Sequence, residues 1–327
     1  MLWARDTRWS LALGAATLSA IVVLVGQTHL GAQAREADVP PLEQPSKHEN
    51  VTLGLGVSDP AKDGATLDAM ASYARPPSLV MWYQSWNEPL FYPKQFAAVQ
   101  ARNAVPVVTW VPDSREGHVL SLREITAGQH DDYLIASAHA AKDWGRPFYI
   151  RFAHEMNGNW YSWGRDVGDN TPARYIAAWR HVVKVFRDVG ATNVRWVWSP
   201  NVYGHGVASF KPFYPGDEWV DWVALDGYNW GSSKGSGWRG FGEVFGFSYD
   251  RLVELTRRPI MIGETASTEK GGDKARWIRE AFDSALPDRL PRVKALIWFE
   301  RDKEADWRIG SSAASAQAFS DATSPAR

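Results

Sequence analysis

The sequence of 327 residues contains no cysteine. It therefore has no disulfide, no thiolate metal site, no cysteine nucleophile and no cysteine that could carry a lipoprotein anchor. The formal net charge is −1, so nothing in the composition indicates the basic surface that binds nucleic acid. A glycine-rich phosphate loop is also missing, because the segment GLGVSD at Gly54 lacks the remaining glycines of a dinucleotide-binding fingerprint.

The N-terminal apolar run, residues 11–25, is short for a membrane span, which needs roughly 20 apolar residues. Arg5 and Arg8 precede the run, and small residues follow it at Ala32 and Ala34 in an Ala-Gln-Ala arrangement. This order of features is typical of a secretory signal peptide with cleavage after Ala34. An uncleaved signal anchor, which would hold the protein at a membrane, is the alternative.

The rest of the chain is expected to contain one domain with short flanking segments. Residues 1–34 would be the signal peptide, and the polar, proline-containing residues 35–50 a linker. The folded domain is expected at residues 51–320, a length that suits an α/β barrel of about 250 residues. Residues 321–327 are expected to be a disordered tail. We expect the mature protein to be secreted or periplasmic, and to be a monomer.

Tryptophan is abundant, with 18 residues. Indole rings pack well in a core, but their faces also stack on flat apolar groups such as the faces of sugar rings. A core rarely needs so many, and we expect about half of them to lie in the core and the rest on a binding surface.

Short apolar runs rich in Val, Ile and aromatic residues recur along the chain, separated by polar loops and mostly helical patterns. Most of the runs are continuous rather than alternating, as in a parallel sheet that is covered on both faces. This repetition predicts a single (β/α)8 barrel; a doubly wound open sheet is the alternative, but it usually has fewer strands and a phosphate loop. The eight runs are residues 51–57, 79–84, 105–111, 147–153, 194–199, 221–226, 259–264 and 294–299.

One predicted helix is marked at both ends. Thr171 is placed as its cap, Pro172 at its first position and Gly190 at its end. The connection at residues 200–220 differs from the others, because its glycine and proline content is too high for a long helix. We predict a loop with a short helix there.

Catalytic residues of such barrels lie at the C-terminal ends of the strands. Glu155 follows the fourth run, Glu264 ends the seventh and Glu300 follows the eighth, whereas Glu88 lies in a loop beyond the second. A retaining glycosidase needs two carboxyl groups about 5–5.5 Å apart. Strands four and seven face each other across the barrel mouth, so Glu155 and Glu264 are the pair that fits most naturally.

Two other interpretations of these glutamates come from the residues themselves. Carboxylates at strand ends can simply pair with arginines, and Arg151 is near Glu155. A metal-dependent hydrolase would need His-Glu-x-x-His on a helix, but Gly158 stands in the second histidine position and the segment follows a strand. We therefore expect no metal, and no organic cofactor.

The segment HEMNGNWYSWG after strand four, with IGET closing strand seven, resembles glycoside hydrolase family 26. The resemblance covers residues 51–310. It implies a (β/α)8 barrel that hydrolyses polysaccharides with retention of configuration. By position, it implies that Glu155 is the general acid/base and that Glu264 is the nucleophile.

The resemblance also implies roles in substrate binding. His154 would hydrogen-bond the sugar at the cleavage point, and Trp160 would stack on the sugar beyond the scissile bond. Tyr228 would orient the nucleophile. Arg151 would support the carboxylates from below. Trp298 would form the floor of the sugar site, and Trp163 would contact sugar. Both tryptophans could equally be core residues.

The segment QSWNEP contains Asn-Glu-Pro, which is the acid/base signature of other families in the large barrel clan to which family 26 belongs. That signature belongs after strand four, whereas here it follows strand two. We therefore expect a loop turn on the rim of the cleft, with Trp86 within reach of sugar and no catalytic role for Glu88.

The expected substrate follows from positions at which this sequence differs from the mannanases of the family. The mannanases of the family typically read RPLHEMNG-x-WFWWG, whereas this chain has Tyr161 and Ser162 at two of the aromatic positions and Phe152-Ala153 in place of Pro-Leu. The segment LDGYNWG also looks more like glucan-acting and exopolysaccharide-associated members. We predict an endo-β-glycanase acting on mixed-linkage β-1,3-1,4-glucan. The alternatives are an endo-β-1,4-mannanase on mannan or glucomannan, and an exopolysaccharide-associated hydrolase or non-catalytic polysaccharide-binding barrel.

Overall fold

The computed structural model describes residues 51–73, 75–204 and 206–324. The expected signal peptide and linker lie outside these residues, as do residues 325–327 of the expected tail. The last helix continues to Thr323, so it passes the domain end that was expected at residue 320. Within the described residues, no helix is long and apolar enough to span a lipid bilayer.

Eight parallel strands form a closed barrel in which each strand pairs with its neighbours in chain order and β8 pairs with β1. The predicted (β/α)8 barrel is therefore confirmed. The strands are β1 (Thr52–Gly56), β2 (Leu79–Ser85), β3 (Val105–Val111), β4 (Phe148–Phe152), β5 (Val194–Trp198), β6 (Trp222–Asn229), β7 (Ile260–Ser267) and β8 (Val293–Phe299).

Helices cover the outside of the barrel between successive strands. Where the sequence predicted a loop with a short helix at residues 200–220, the loop contains two short 3₁₀ helices, Lys211–Phe213 and Asp217–Trp219. The α-helices are α1 (Gly64–Tyr73), α2 (Pro93–Gln100), α3 (Leu122–Thr126), α4 (Asp131–Trp144), α5 (Pro172–Val189), α6 (Phe241–Leu255), α7 (Lys274–Glu280) and α8 (Ala313–Thr323).

Helix α5 shows how the local sequence sets an element of the outer layer. The Thr171 side chain accepts a hydrogen bond from the Arg174 amide, Pro172 opens the helix, and Gly190 ends it in the left-handed conformation at φ 82°. A glycine is favoured there because a side chain would be strained. The buried face of the helix packs its aromatic and aliphatic side chains against the barrel.

Strands β6 and β7 run three residues further than the sequence indicated. Their pairing shifts register between Leu225 and Asp226, and the pairing of β7 with β8 shifts between Ile262 and Thr265. Such irregularities bend a strand and redirect its side chains. Tyr228 therefore lies within β6 rather than after it, and Glu264 lies in the interior of β7 rather than at its end.

Candidate active site

A cavity of about 940 Å³ opens at the C-terminal ends of the strands. Both Glu155 and Glu264 line it, although each side chain is largely buried at 7% and 4% exposure. The cavity therefore brings together the two glutamates that the sequence placed at the ends of strands four and seven. The expected residues His154, Trp160, Trp163 and Tyr228 line the same cavity.

Three side chains hold the carboxylate of Glu264. Tyr83 donates its hydroxyl to Oε1 at 2.5 Å, and Tyr228 donates to Oε2 at 2.6 Å. Arg151 donates from Nη1 to Oε1 at 3.0 Å. Both oxygens are thus fixed, and the carboxylate has one orientation relative to the cavity.

These partners also set the charge of Glu264. Burial alone would raise its pKa, but the positive charge of Arg151 and the hydrogen bonds from the two tyrosines outweigh burial. The pKa of Glu264 consequently lies below its ordinary value, and the group is an anion near neutral pH.

Arg151 is fully buried beneath the two glutamates and does not line the cavity. Its Nη2 atom donates to Asp226 at 2.6 Å, and Ser199 donates its hydroxyl to the same carboxylate at 2.9 Å. Although burial works to lower the pKa of Arg151, the charges of Asp226 and Glu264 raise it, so the guanidinium stays charged. Arg151 therefore holds the Glu264 carboxylate from below and does not itself line the cavity.

Gly263 makes room for this buried pair. A Cβ atom at that position would lie 2.6 Å from Oδ1 of Asp226 and 2.9 Å from Oγ of Ser199. Gly263, the glycine of IGET, thus lacks a side chain because Asp226 and Ser199 lie directly against its backbone.

Glu155 lies on a strained turn just after β4. Ala153 and Glu155 both have positive φ angles, 44° and 53°, and the Glu155 amide donates to the Ser199 carbonyl at 2.7 Å. Left-handed backbone is unfavourable for residues with a side chain and is often found at functional sites. The turn directs the glutamate into the cavity.

Two donors contact the carboxyl group of Glu155. Asn201 donates from Nδ2 to Oε1 at 2.5 Å, and Trp160 donates from Nε1 to Oε2 at 2.8 Å. Burial, followed by the negative charge of Glu264, raises the pKa of Glu155 to about 7, although these two donors counteract part of that rise. The group is therefore largely protonated at slightly acid pH, when Glu264 is ionised.

The remaining residues of HEMNG set up these contacts. The side chain of Asn157 accepts a hydrogen bond from the Asn201 amide at 2.9 Å and donates to the Asn201 carbonyl at 2.9 Å, which fixes Asn201 against Glu155. A Cβ atom at Gly158 would lie 2.3 Å from the ring of Trp160. The glycine thus lets the indole lie directly over the backbone.

His154 is buried, and burial lowers its pKa to about 3. The ring is therefore neutral. Its Nε2 atom lies 3.9 Å from Oε1 of Glu264 and 3.2 Å from the Tyr161 hydroxyl. The ring can exchange a hydrogen bond with a bound group, but it does not contribute a positive charge.

The tryptophans after β4 differ in exposure. Trp160 is 47% exposed and offers an open ring face to the cavity. Trp163 is 2% exposed, stacks on Tyr161 with ring centroids 4.5 Å apart, and donates its Nε1 hydrogen to the His154 carbonyl at 2.7 Å. Trp163 thus mainly holds the wall from which His154 projects.

Of the two places considered for Trp298, the sugar site and the core, the structure shows the core. Trp298 does not line the cavity, because its position in β8 directs the ring outward against Trp277 of α7 and Phe319 of α8. Its neighbour Phe299 faces inward, since successive side chains of a strand point to opposite faces. Trp298 instead donates its Nε1 hydrogen at 2.8 Å to the carbonyl of Trp307, which does line the cavity.

The expected place of QSWNEP on the cleft rim is wrong. Trp86 and Glu88 line a separate cavity of about 320 Å³, and Trp86 is 1% exposed. Glu88 accepts a hydrogen bond from Gln84 at 2.8 Å, and its carbonyl accepts one from Tyr133 at 2.7 Å. Neither Trp86 nor Glu88 reaches the cavity of Glu155 and Glu264.

Glu300 also follows a strand, as the position of a catalytic residue requires, but it does not line the main cavity. Its Oε2 atom accepts the Ile309 amide at 2.7 Å, and burial raises its pKa to about 7. Among the described residues, no group of three or more histidines, cysteines or carboxylates could hold a metal ion.

Sequence reasoning missed Tyr83 and Asn201. Asn201 lies three residues past the end of β5, as Glu155 does past β4, so a search of strand ends would have found it if amides had been considered as well as carboxylates. Tyr83 gave no such signal, because it lies inside an apolar strand and resembles a core residue. The cavity residues Trp230 and Trp307 were missed as well.

A comparison with models of known families matches residues 56–283 to "Glycosyl hydrolase family 26". The match covers most of the chain. The chain belongs to glycosyl hydrolase family 26. The family suggested by HEMNGNWYSWG and IGET is thereby confirmed.

Named relatives of this family 26 chain include a glucanase and a mannanase. Endoglucanase H of Acetivibrio thermocellus is 36% identical over 282 residues, which are 84% of this chain and 30% of the relative. Mannan endo-1,4-beta-mannosidase A and B of Caldalkalibacillus mannanilyticus is 44% identical over 85 residues, which are 24% of this chain and 16% of the relative. The family 26 chain therefore spans under a third of the length of either relative.

Solved structures share the fold. A Cellulomonas fimi endo-beta-1,4-mannanase double mutant superposes with a TM-score of 0.63 at 20% identity, covering 84% of this chain and 71% of that one. At this identity the likeness supports the barrel of the family 26 chain and carries no information on its substrate.

Proposed function

We propose that this family 26 chain is a retaining endo-β-glycanase, with Glu155 as general acid/base and Glu264 as nucleophile. The observation that carries the proposal is that two carboxyl groups in one cavity have pKa values shifted in opposite directions. Burial and a neighbouring negative charge raise the pKa of Glu155 to about 7, whereas Arg151 and two tyrosines overcome burial and lower that of Glu264. This difference in pKa allows one group to donate a proton while the other acts as an anion.

In the first half-reaction, an oxygen of Glu264 attacks the anomeric carbon while the bond to the leaving sugar breaks. Glu155 gives its proton to the departing glycosidic oxygen, which leaves as a hydroxyl group. The product on the enzyme is a glycosyl ester of Glu264 with inverted configuration. Tyr83 and Tyr228 keep the carboxylate in the orientation that this attack requires.

Formation of the ester prepares the second half-reaction. The negative charge of Glu264 is lost, and with it one of the causes that raise the pKa of Glu155. Glu155 then remains ionised and can accept a proton from water. The water oxygen attacks the anomeric carbon, the ester bond breaks, and a second inversion gives overall retention.

The proposed substrate is a mixed-linkage β-1,3-1,4-glucan. Endoglucanase H, whose name indicates a glucan substrate, aligns with 84% of this chain. Tyr161 and Ser162 also replace aromatic residues that are typical of the mannanases in the family. The cavity of about 940 Å³ lies at the upper end of the usual range for small-molecule sites and suits more than one sugar ring.

A second candidate substrate is β-1,4-mannan or glucomannan. The segment of 85 residues that is 44% identical to a mannan endo-1,4-beta-mannosidase favours it. Trp160, which lines the cavity and is 47% exposed, offers a stacking surface to either polymer. We also propose export of the protein to the periplasm or the medium, on the basis of Arg5, Arg8 and the apolar run that follows them.

The test is reducing-sugar release from barley β-glucan, lichenan, glucomannan, mannan and cellulose, with the anomeric form of the first product followed by NMR. Cleavage of the two mixed-linkage glucans with a β-product is the expected result. Preference for mannan would contradict the glucan assignment alone. Binding without release from any polymer would contradict the enzymatic proposal and favour a non-catalytic binding barrel.

A further inference from the structure

Two loops beside the catalytic residues present positive charge to the cavity. They are the β6–α6 loop, residues 230–240, and the β8–α8 loop, residues 300–312. Together they contribute four cationic side chains and one carboxylate, Glu304, to the lining. The cations are Lys234, Arg239, Arg301 and Lys303.

Most of this charge is not neutralised within the protein. Within the parts of the chain that the structure describes, neither Lys234 nor Arg301 has a carboxylate within ion-pair distance. Lys303 pairs with Glu304 at 2.8 Å on the exposed surface, and Arg239 donates to the Glu243 carbonyl. The cavity wall therefore carries an excess of positive charge at these two loops.

The other acids of the β8–α8 loop do not reduce this excess. Asp302 and Asp306 both pair with Arg308, at 3.7 Å and 2.7 Å, and none of the three lines the cavity. Asp113 also lines the cavity, but it lies just after β3 rather than in either loop, and its hydrogen bonds come from the neutral groups of Ser85 and Ser114, at 2.7 Å and 2.8 Å.

The catalytic carboxyl groups do not balance the excess either. The charge of Glu264 is opposed by Arg151 from below, at 3.0 Å, and burial raises the pKa of Asp226, the other partner of Arg151, well above its ordinary value. Glu155, with a pKa of about 7, is largely uncharged at slightly acid pH. An anionic group of a ligand would therefore meet little repulsion at these loops.

Lys234 also changes what the nearest aromatic ring can bind. Its Nζ atom lies 3.3 Å from the centroid of the Trp230 ring, so it covers the face that would otherwise stack on a neutral sugar. Arg301 lies over Phe299 at 5.7 Å in a similar way. Such contacts hold cations in place without neutralising them.

This charge lies close to the reaction centre. The ring of Trp230 is 6.0 Å from that of Tyr228, which donates to Glu264. Trp307 of the β8–α8 loop is 5.0 Å from the same tyrosine and 4.7 Å from Trp230. A group that binds Lys234 or Arg301 would therefore belong to a ligand in the same cavity as Glu264.

We propose that these two loops bind carboxylate groups carried by the polysaccharide, so that a glucan backbone bearing acidic groups is preferred over the same backbone without them. The guanidinium group of Arg301 can donate two parallel hydrogen bonds to a carboxylate, and Lys234 supplies a second positive charge. The inference rests on the proposed function, because it names the substrate class of the same site.

The test compares two polymers with one backbone, barley β-glucan and the same glucan after partial oxidation of its primary hydroxyl groups to carboxylates. Dissociation constants are measured by affinity electrophoresis with Glu155→Gln, in which glutamine matches the uncharged acid. We expect the carboxylated glucan to bind more tightly than the neutral one at about 0.01 M salt, and the preference to disappear at about 0.5 M salt.

The variants locate the effect. A double substitution, Lys234→Gln and Arg301→Gln, is added to the Glu155→Gln variant. We expect it to reduce the preference for the carboxylated glucan by about tenfold, because two charge-assisted contacts are lost. Lys234→Arg with Arg301→Lys should retain most of the preference, which excludes a folding defect. Lys294→Gln is the matched control, because Lys294 is exposed at the opposite end of β8 and should leave the preference unchanged.

The inference would be overturned if the two polymers bound equally well. It would also be overturned if the preference for the carboxylated glucan remained after Lys234 and Arg301 were replaced by glutamine. Hydrolysis of the neutral glucan by the unmodified protein is measured separately. Its absence would count against the proposed enzymatic function, while the binding comparison would still decide whether the loops bind carboxylates.

Discussion

The indole N–H of Trp160 donates to Oε2 of Glu155 at 2.8 Å, while 47% of the same side chain is exposed. One residue thus offers a ring face to a ligand and a hydrogen bond to the expected proton donor. A donor favours the ionised form of a carboxyl group, so Trp160 lowers the pKa of Glu155 against the stronger effect of burial. Substrate binding and proton transfer are linked at this position.

Trp160→Phe keeps an aromatic face and removes the N–H. Because the ionised form of Glu155 loses a donor, its pKa should rise, and the alkaline limb of kcat/KM, expected near pH 7, should move to higher pH. A pH profile of kcat/KM measures the limb. Trp163→Phe is the control, because its N–H donates to the His154 carbonyl and not to a carboxylate. A limb that stays in place or moves to lower pH would contradict the assignment of Glu155.

Tyr228→Phe and Tyr83→Phe each remove one hydrogen bond from Glu264. A hydrogen bond to a charged group contributes roughly 1.5–3 kcal/mol, so we expect kcat to fall by about one to two orders of magnitude in each variant. Loss of a donor should also raise the pKa of Glu264 and move the acid limb of the profile to higher pH.

The acid limb distinguishes this effect from a general loss of structure. Tyr214→Phe removes a hydroxyl that contacts Asp217 and Thr256, on the outside of the barrel, and should leave the limb in place. If Tyr228→Phe lowered kcat without moving the acid limb, the tyrosine would not act through the charge of Glu264.

Arg151→Met should destabilise the fold. It removes a fully buried cation and leaves the Asp226 carboxylate without its ion-pair partner at 2.6 Å. Breaking a buried pair in this way typically costs about 3–5 kcal/mol. Urea denaturation followed by tryptophan fluorescence measures the loss. Arg289→Met is the control, because its pair with Asp250 is 44% exposed on both sides and should change stability by less than about 1 kcal/mol. Equal effects of the two substitutions would contradict the importance of the buried pair.

Glu88→Gln should leave kcat/KM within about threefold of the unmodified protein, since Glu88 lines the smaller, separate cavity. Glu155→Gln is the comparison and should lose most activity, because glutamine cannot give up a proton. A comparable loss in both variants would show that QSWNEP takes part in the reaction after all.

Much of the site was predictable because the barrel fixes where chemistry can lie. Continuous apolar runs located all eight strands, and the strand-end criterion placed Glu155 and Glu264 in one cavity. Trp298 could not be placed, because in a strand that is buried on both faces the sequence does not distinguish inward from outward positions. A shift of one residue exchanges the faces, and Phe299 lies where the tryptophan was expected.

Other contacts depend on irregular backbone that sequence patterns do not indicate. The register shift at Leu225 and Asp226 carries Tyr228 into the strand and toward Glu264. The positive φ of Glu155 gives no periodic signal either. The strand-end criterion identified the residues, but their orientation comes from these local departures from regular geometry.

The nucleophile can be identified most directly with Glu264→Ala and azide. Without the carboxylate, turnover of an aryl β-glycoside with a good leaving group should be lost, and azide that enters the vacated space should restore it with an α-glycosyl azide as product. Glu155→Ala is the contrasting variant, because its intact Glu264 should give a β-glycosyl azide. NMR of the azide product distinguishes the two. An α-azide from Glu264→Ala is the expected result, and a β-azide from that variant would contradict the assignment of Glu264 as the nucleophile.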